Sequence, residues 1–167
     1  MRSGGRGSVL LLLLIAVVLL RPWESWDELG RDEPGSAYAY VTRVVDGDTI
    51  EVQLDGKTED VRYIGVDTPE TVKPSEPVQC FGPQASSFNH RLVEGRRVKL
   101  VFDVERRDVY GRLLAYVYLG DRFVSAELVR RGLARTLTIP PDDRFAGRLK
   151  RLEIAASRAG RGLWGAC

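Results

Sequence analysis

The chain has 167 residues, 44% of them apolar and 29% charged. That is an ordinary globular mixture, and it excludes a disordered or low-complexity protein. Net charge is only +2, from 25 basic and 23 acidic residues, and this total alone argues against a strongly basic nucleic-acid-binding domain. The length fits one domain, or one domain with a tail.

The first 36 residues differ from the rest. Arg2 and Arg6 precede an unbroken apolar run over residues 9–20. A basic start followed by a short apolar stretch is the pattern of an export signal. As a helix this run spans about 18 Å, short of the ~30 Å hydrocarbon core. A buried core helix is the alternative, but nothing amphipathic surrounds the run. Leu20-Arg21-Pro22-Trp23 is a poor cleavage site, so a cleaved signal and an uncleaved anchor both remain open. Trp23 and Trp26 would suit a membrane interface in the anchored form. The expectation is an exported protein, secreted or held at the outer face of the cell membrane through residues 9–20. Residues 21–36 hold Pro22, Gly30, Pro34 and Gly35 among five acids and read as an exposed linker.

The folded domain is expected over 37–167. Residues 1–36 carry four Arg and five acids, which leaves the domain 21 basic and 18 acidic residues, net +3. Cys80 and Cys167 are the two cysteines. In an exported chain they predict one disulfide, tying the C-terminus to the middle of the domain. His90, the only histidine, has no companion at ligand spacing and is placed on a helix surface.

In chain order, residues 38–45 are rich in β-branched and aromatic side chains and predict a strand. Asp46-Gly47 is a turn signal, 49–54 alternates as a second strand, and Asp55-Gly56 is another turn. Residues 61–66 predict a third strand, and 68–77, with three prolines, a loop. A helix opens at Gly82-Pro83 and stops at Gly95, with Phe81, Ala85, Phe88 and Leu92 facing inward. Strands follow at 97–102 and 113–119, then a short helix at 125–131. Asp142 or Asp143 is expected to cap a last helix, with Phe145, Leu149, Leu152, Ala156 and Ala159 on its inner face. The order βββ, helix, ββ, helix, helix makes an α+β, mainly β, fold. It fits a five-stranded Greek-key barrel of the oligonucleotide-binding (OB) type with three helices. A generic α+β sandwich has the same order.

Three clusters hold the candidate chemistry: Asp46-Gly47-Asp48-Thr49, the stretch from Arg62 to Glu70, and Asp108-Val109-Tyr110-Gly111-Arg112. Alone, the first and third read more readily as plain turns, and the second reads equally as a solvated loop. Together they complement one another. Asp48 and Asp67 with a nearby backbone carbonyl are hard oxygen donors that suit Ca²⁺ or Mg²⁺. Glu70 could polarise water, and Arg62 and Arg112 could clamp a phosphate bidentately. Acids, a metal and two arginines are the parts for phosphodiester hydrolysis.

These blocks, with Tyr110-Gly111-Arg112-Leu113-Leu114-Ala115-Tyr116, Phe81-Gly82-Pro83 and Gly162-Leu163-Trp164, resemble the signature of the thermonuclease (staphylococcal nuclease-like) family over nearly all of 37–167. The resemblance implies the five-stranded barrel with three helices. It implies Ca²⁺ bound by the carboxylates of Asp48 and Asp67 and the main-chain oxygen of Thr68. It makes Glu70 the general base or water-orienting group, and Arg62 and Arg112 the phosphate clamp, with Tyr110 near the nucleotide. The implied reaction is cleavage of DNA and RNA at the P–O5′ bond, leaving 3′-phosphate ends. A monomer is expected. Two departures stand out. Residues 135–140 carry no aromatic where the family places base-facing tyrosines, and Val109 stands where a basic residue is common. A non-catalytic nucleic-acid-binding module of the same fold is the main alternative. A barrel that recruits a protein partner at the cell surface is a more distant one.

Overall fold

The computed structural model describes residues 35–71 and 77–167; the N-terminal apolar run and most of the 21–36 linker lie outside them. Among the described residues no helix is long and apolar enough to cross a membrane.

Strand β1 (Ser36–Val44) pairs antiparallel with β2 (Thr49–Leu54), and β2 with β3 (Lys57–Tyr63). Strand β5 (Arg97–Val101) pairs antiparallel with the other side of β1, and β6 (Leu113–Leu119) with β5. A parallel pairing of β3 with β6, Val61 opposite Leu113 and Tyr63 opposite Ala115, closes the ring. The result is a closed five-stranded barrel with OB topology. Closure leaves no free edge for unwanted strand addition. Alternation along each strand sends Val41, Ile50, Val52, Val61, Val98, Leu100, Ala115 and Val117 into a core from which solvent is excluded.

Helix α1 (Gly82–Val93) lies in the chain between β3 and β5. A two-residue strand β4 (Val66–Asp67) lies outside the barrel and pairs with β8 (Arg135–Thr136). Strand β7 (Arg122–Phe123) leads into α2 (Val124–Arg130); α3 (Ala146–Arg158) and the single turn α4 (Leu163–Ala166) complete the chain. The Cys80–Cys167 disulfide is formed, with Cα atoms 6.0 Å apart. His90 is exposed on α1, beside Glu94.

Three expectations change. The third strand is set at 57–63, not 61–66. Asp55 and Gly56, with φ of 50° and 76°, make a two-residue turn that starts pairing at once, and Gly65 at φ 85° breaks the strand before Val66. Neither Asp142 nor Asp143 caps α3, whose N-cap is Phe145 with no side-chain bond. Buried Asp142 instead accepts the Val104 and Glu105 N–H groups, both at 2.9 Å, and ties two loops together. Ala159 is exposed at the end of α3, while buried Glu153 occupies its inner face. Glu153 accepts the Thr136 N–H at 2.8 Å, the Thr136 hydroxyl at 2.9 Å and Lys150 Nζ at 2.5 Å, so α3 is fastened to β8.

A carboxylate and arginine cleft at the barrel rim

The residues of the three sequence clusters meet in one place. Asp46, Asp48, Arg62, Asp67, Thr68, Glu70 and Arg112 line a single cleft of about 190 Å³. Its floor is the β1–β2 turn. There the Asp46 carboxylate accepts the Asp48 N–H at 3.0 Å, and the Asp46 carbonyl accepts the side-chain amide of Asn89 on α1 at 3.1 Å. Asn89 in turn accepts the buried Tyr63 hydroxyl at 3.0 Å. The turn is therefore fixed from both the helix and the barrel wall.

Asp48 is only 1% exposed. A buried carboxylate must be paired. Its Oδ2 accepts the Thr68 N–H at 2.6 Å and the Thr68 hydroxyl at 2.9 Å, and its Oδ1 faces the Arg62 guanidinium. Thr68 comes this close because Gly47 has no side chain; a Cβ there would stand 2.6 Å from Thr68 Oγ1. Arg62, next to last in β3, donates Nη2 to Asp67 Oδ1 at 2.7 Å and bridges the two aspartates. Burial pushes the Asp46 carboxyl above its ordinary value, although the Arg62 charge pulls it down.

Arg112 enters from the start of β6, held by Asp108. Asp108 Oδ2 accepts Nε and Nη2 of Arg112, both at 2.7 Å, while Oδ1 accepts the backbone N–H of Tyr110 at 2.9 Å and of Arg112 at 3.0 Å. The Arg112 guanidinium lies 5.4 Å from the centre of the Tyr110 ring, which is 82% exposed.

A larger groove of about 570 Å³ adjoins the cleft, sharing Arg62 and Arg112 with it. Its walls include Tyr110, Leu114, Leu137, Ile139 and Arg107. The stretch without aromatics noted in the sequence thus supplies an aliphatic wall, with Leu137 40% and Ile139 61% exposed. Val109, also on the groove, points its apolar side chain almost fully into solvent.

Could the cleft hold a divalent cation? Among the described residues no three His, Cys, Asp or Glu side chains converge on one point. A cation would therefore rest on two carboxylates and a main-chain oxygen. The donors are all hard oxygens, the set that Ca²⁺ takes. The Arg62 guanidinium already stands as a positive charge between Asp48 and Asp67. Four carboxylates against two guanidiniums also leave the cleft short of positive charge. The donor chemistry suits such an ion, and Arg62, which stands between the two aspartates, would have to swing aside to admit it.

Asp46 and Asp108 were not singled out as site residues from sequence. Asp46 belongs to the same short motif as Asp48. Asp108 stands four positions before Arg112 across a Gly-containing turn, the one signal that could have marked it as a partner.

The fold and cleft define an OB barrel carrying a carboxylate and arginine site at its rim. Residues 60–166 match the family described as Staphylococcal nuclease homologue. Thermonuclease from Staphylococcus intermedius is 42% identical over 160 residues, 93% of this chain and 95% of that protein. Thermonuclease from Staphylococcus hyicus is 44% identical over 124 residues, 74% of this chain and 73% of that one. Endonuclease YncB from Bacillus subtilis is 43% identical over 124 residues, 73% of this chain and 59% of that one. The chain belongs to the staphylococcal nuclease-like (thermonuclease) family.

Proposed function

We propose that this protein is an exported, monomeric, Ca²⁺-dependent nuclease that hydrolyses phosphodiester bonds of DNA and RNA and leaves 3′-phosphate ends. The observation that carries this reading is the meeting of Asp48, Arg62, Asp67, Thr68, Glu70 and Arg112 in one cleft. Relatives named as thermonucleases and endonucleases give it independent support. Asp48, Asp67 and the Thr68 main-chain oxygen would hold the ion, which supplies positive charge for the substrate phosphate when bound.

The chain's own groups do the rest. Glu70 accepts a proton from the attacking water, or orients it for in-line approach to phosphorus. Arg62 and Arg112 hold the non-bridging oxygens and offset the charge that grows there in the transition state. Rupture of the P–O5′ bond leaves the phosphate on the 3′ oxygen, and the departing 5′ oxygen takes up a proton from solvent to become a 5′-hydroxyl. The adjoining groove, whose walls include Tyr110, Leu137 and Ile139, takes the neighbouring nucleotide.

The test compares the wild-type chain with Glu70→Gln and Arg112→Ala on an end-labelled oligonucleotide with Ca²⁺. Losses of roughly 10²–10³ in kcat, with unchanged circular dichroism and 3′-phosphate products from wild type, support the reading. Wild-type turnover in Glu70→Gln, or oligonucleotide binding without cleavage by wild type, overturns it.

A further inference from the structure

Three residues at and just beyond the end of β4, Asp67, Thr68 and Glu70, are each held by a different part of the molecule. Arg62 holds Asp67 and Asp48 holds Thr68. Glu70 is held by Gln79, nine residues further along the chain. The Glu70 N–H donates to Gln79 Oε1 at 3.1 Å, and the Gln79 N–H donates to the Glu70 carbonyl at 2.9 Å. Both hydrogen-bonding groups of the Glu70 main chain are thus gripped by one residue.

The grip continues into α1. The Gln79 carbonyl accepts the Gly82 N–H at 3.0 Å. Gly82 packs so tightly that a Cβ there would lie 3.0 Å from the Glu70 and Pro69 carbonyl oxygens and 2.6 Å from Thr71 Cγ2. Between Gln79 and the helix stand Phe81, in the left-handed region at φ 68°, and Cys80, bonded to the terminal residue Cys167. The Cys167 N–H donates to the Leu163 carbonyl at 3.1 Å, and the Leu163 N–H to the Gly132 carbonyl at 2.9 Å. Residue 80 is therefore anchored through α4 to the end of α2.

Among the described residues, neither the buried core nor the lining of the cleft includes Gln79, Cys80 or Cys167. What the three share is position: Gln79 meets the backbone of Glu70 directly, Cys80 is its chain neighbour, and Cys167 is bonded to Cys80. We propose that Gln79 is a positioning residue for Glu70 and that the Cys80–Cys167 disulfide keeps it in register, so that oxidation of the chain completes the active site. This inference rests on the assignment of Glu70 to the chemistry. Reduction by an external dithiol converts that dithiol to a disulfide, while Cys80 and Cys167 each take up one electron and one proton. The freed segment then loosens its hold on Glu70, and turnover falls while the metal and phosphate ligands stay in place.

The test measures kcat and KM of the full oxidised chain on a single-stranded DNA oligonucleotide with Ca²⁺. The variants are Gln79→Ala, Gln79→Glu and Glu70→Gln, each also assayed after reduction with dithiothreitol, with circular dichroism confirming the fold. Displacing a reacting group by about 1 Å costs on the order of 10²-fold. Gln79→Ala is therefore expected to lose roughly 10- to 100-fold in kcat with KM nearly unchanged. Gln79→Glu, which keeps an acceptor oxygen for the Glu70 N–H, recovers most of that loss. Reduction lowers wild-type kcat but adds little to Gln79→Ala, because both act on the same hold. The inference is overturned if Gln79→Ala turns over like wild type while Glu70→Gln is inactive. It is also overturned if reduction and Gln79→Ala multiply independently. Full activity of Glu70→Gln instead removes the assignment of Glu70 on which the inference stands.

Discussion

Asp108 offers a test in which folding and catalysis separate. One of its carboxylate oxygens binds the Arg112 side chain twice and the other binds two backbone N–H groups of the turn. Asp108→Ala removes both functions. The two backbone bonds are worth about 0.5–1.5 kcal/mol each. The ion pair, with Arg112 31% and Asp108 16% exposed, adds about 0–1 kcal/mol after solvent screening. The expected loss of stability is about 1–4 kcal/mol. Asp108→Asn keeps an oxygen for the backbone N–H groups but drops the charge that fixes the guanidinium. It should cost less than about 1 kcal/mol of stability. Turnover should nevertheless fall about 10- to 100-fold in both variants, because Arg112 is no longer aimed at the phosphate. Urea unfolding and steady-state cleavage of one oligonucleotide measure the two quantities side by side. An Asp108→Asn protein with wild-type kcat would refute the idea that Asp108 aims Arg112. A kcat loss that tracked stability alone would make Asp108 a turn residue only.

Three further outcomes follow from the geometry. Leu137→Tyr places an aromatic on the groove wall, and because stacking is worth about 1–3 kcal/mol per base, KM for single-stranded DNA should drop by roughly 5- to 150-fold; an unchanged KM would show that bases do not reach Leu137. Asp142→Ala orphans the N–H groups of Val104 and Glu105 and should cost about 2–4 kcal/mol by denaturant unfolding, whereas a loss under 0.5 kcal/mol would contradict the packing described. Burial works to raise the Glu153 carboxyl, but bonds from Lys150 and Thr136 outweigh it and hold the group below the ordinary glutamate value of 4.5. A lowered folded-state value means stability present above that pH and lost as pH falls through the folded one, so Glu153→Gln should flatten the acid limb of the stability curve, and an unchanged limb would count against that coupling.

Much of the barrel was legible because its signals are local. Alternation in 49–54 and 113–119, and the Asp55-Gly56 turn, act within a few residues. The closing pair between β3 and β6 joins segments about fifty residues apart and leaves no local trace. Glu153 reads as an ordinary charged helix position; only its place against Thr136 shows that it is a fastener. Asp142 read as a cap because Asp is a good N-cap, yet two distant N–H groups claim its carboxylate. In the cleft, Asp48, Arg62, Asp67, Glu70 and Arg112 were nameable from three short motifs. Their supports, Asp108, Asn89 and Gln79, were not, since each works through a hydrogen bond whose partner is set by tertiary packing.

The net charge that first argued against a nucleic-acid partner has a simple explanation. Several of the domain's acids are gathered in one cleft beside two arginines, where they cancel the total without spreading negative charge over the surface. The most direct test is release of acid-soluble nucleotides from single-stranded DNA by the full-length chain with Ca²⁺, with EGTA and with Mg²⁺. Release with Ca²⁺ that EGTA abolishes and Mg²⁺ does not restore is the predicted result. A folded chain with no release in Ca²⁺, or with equal release in EGTA, would contradict it.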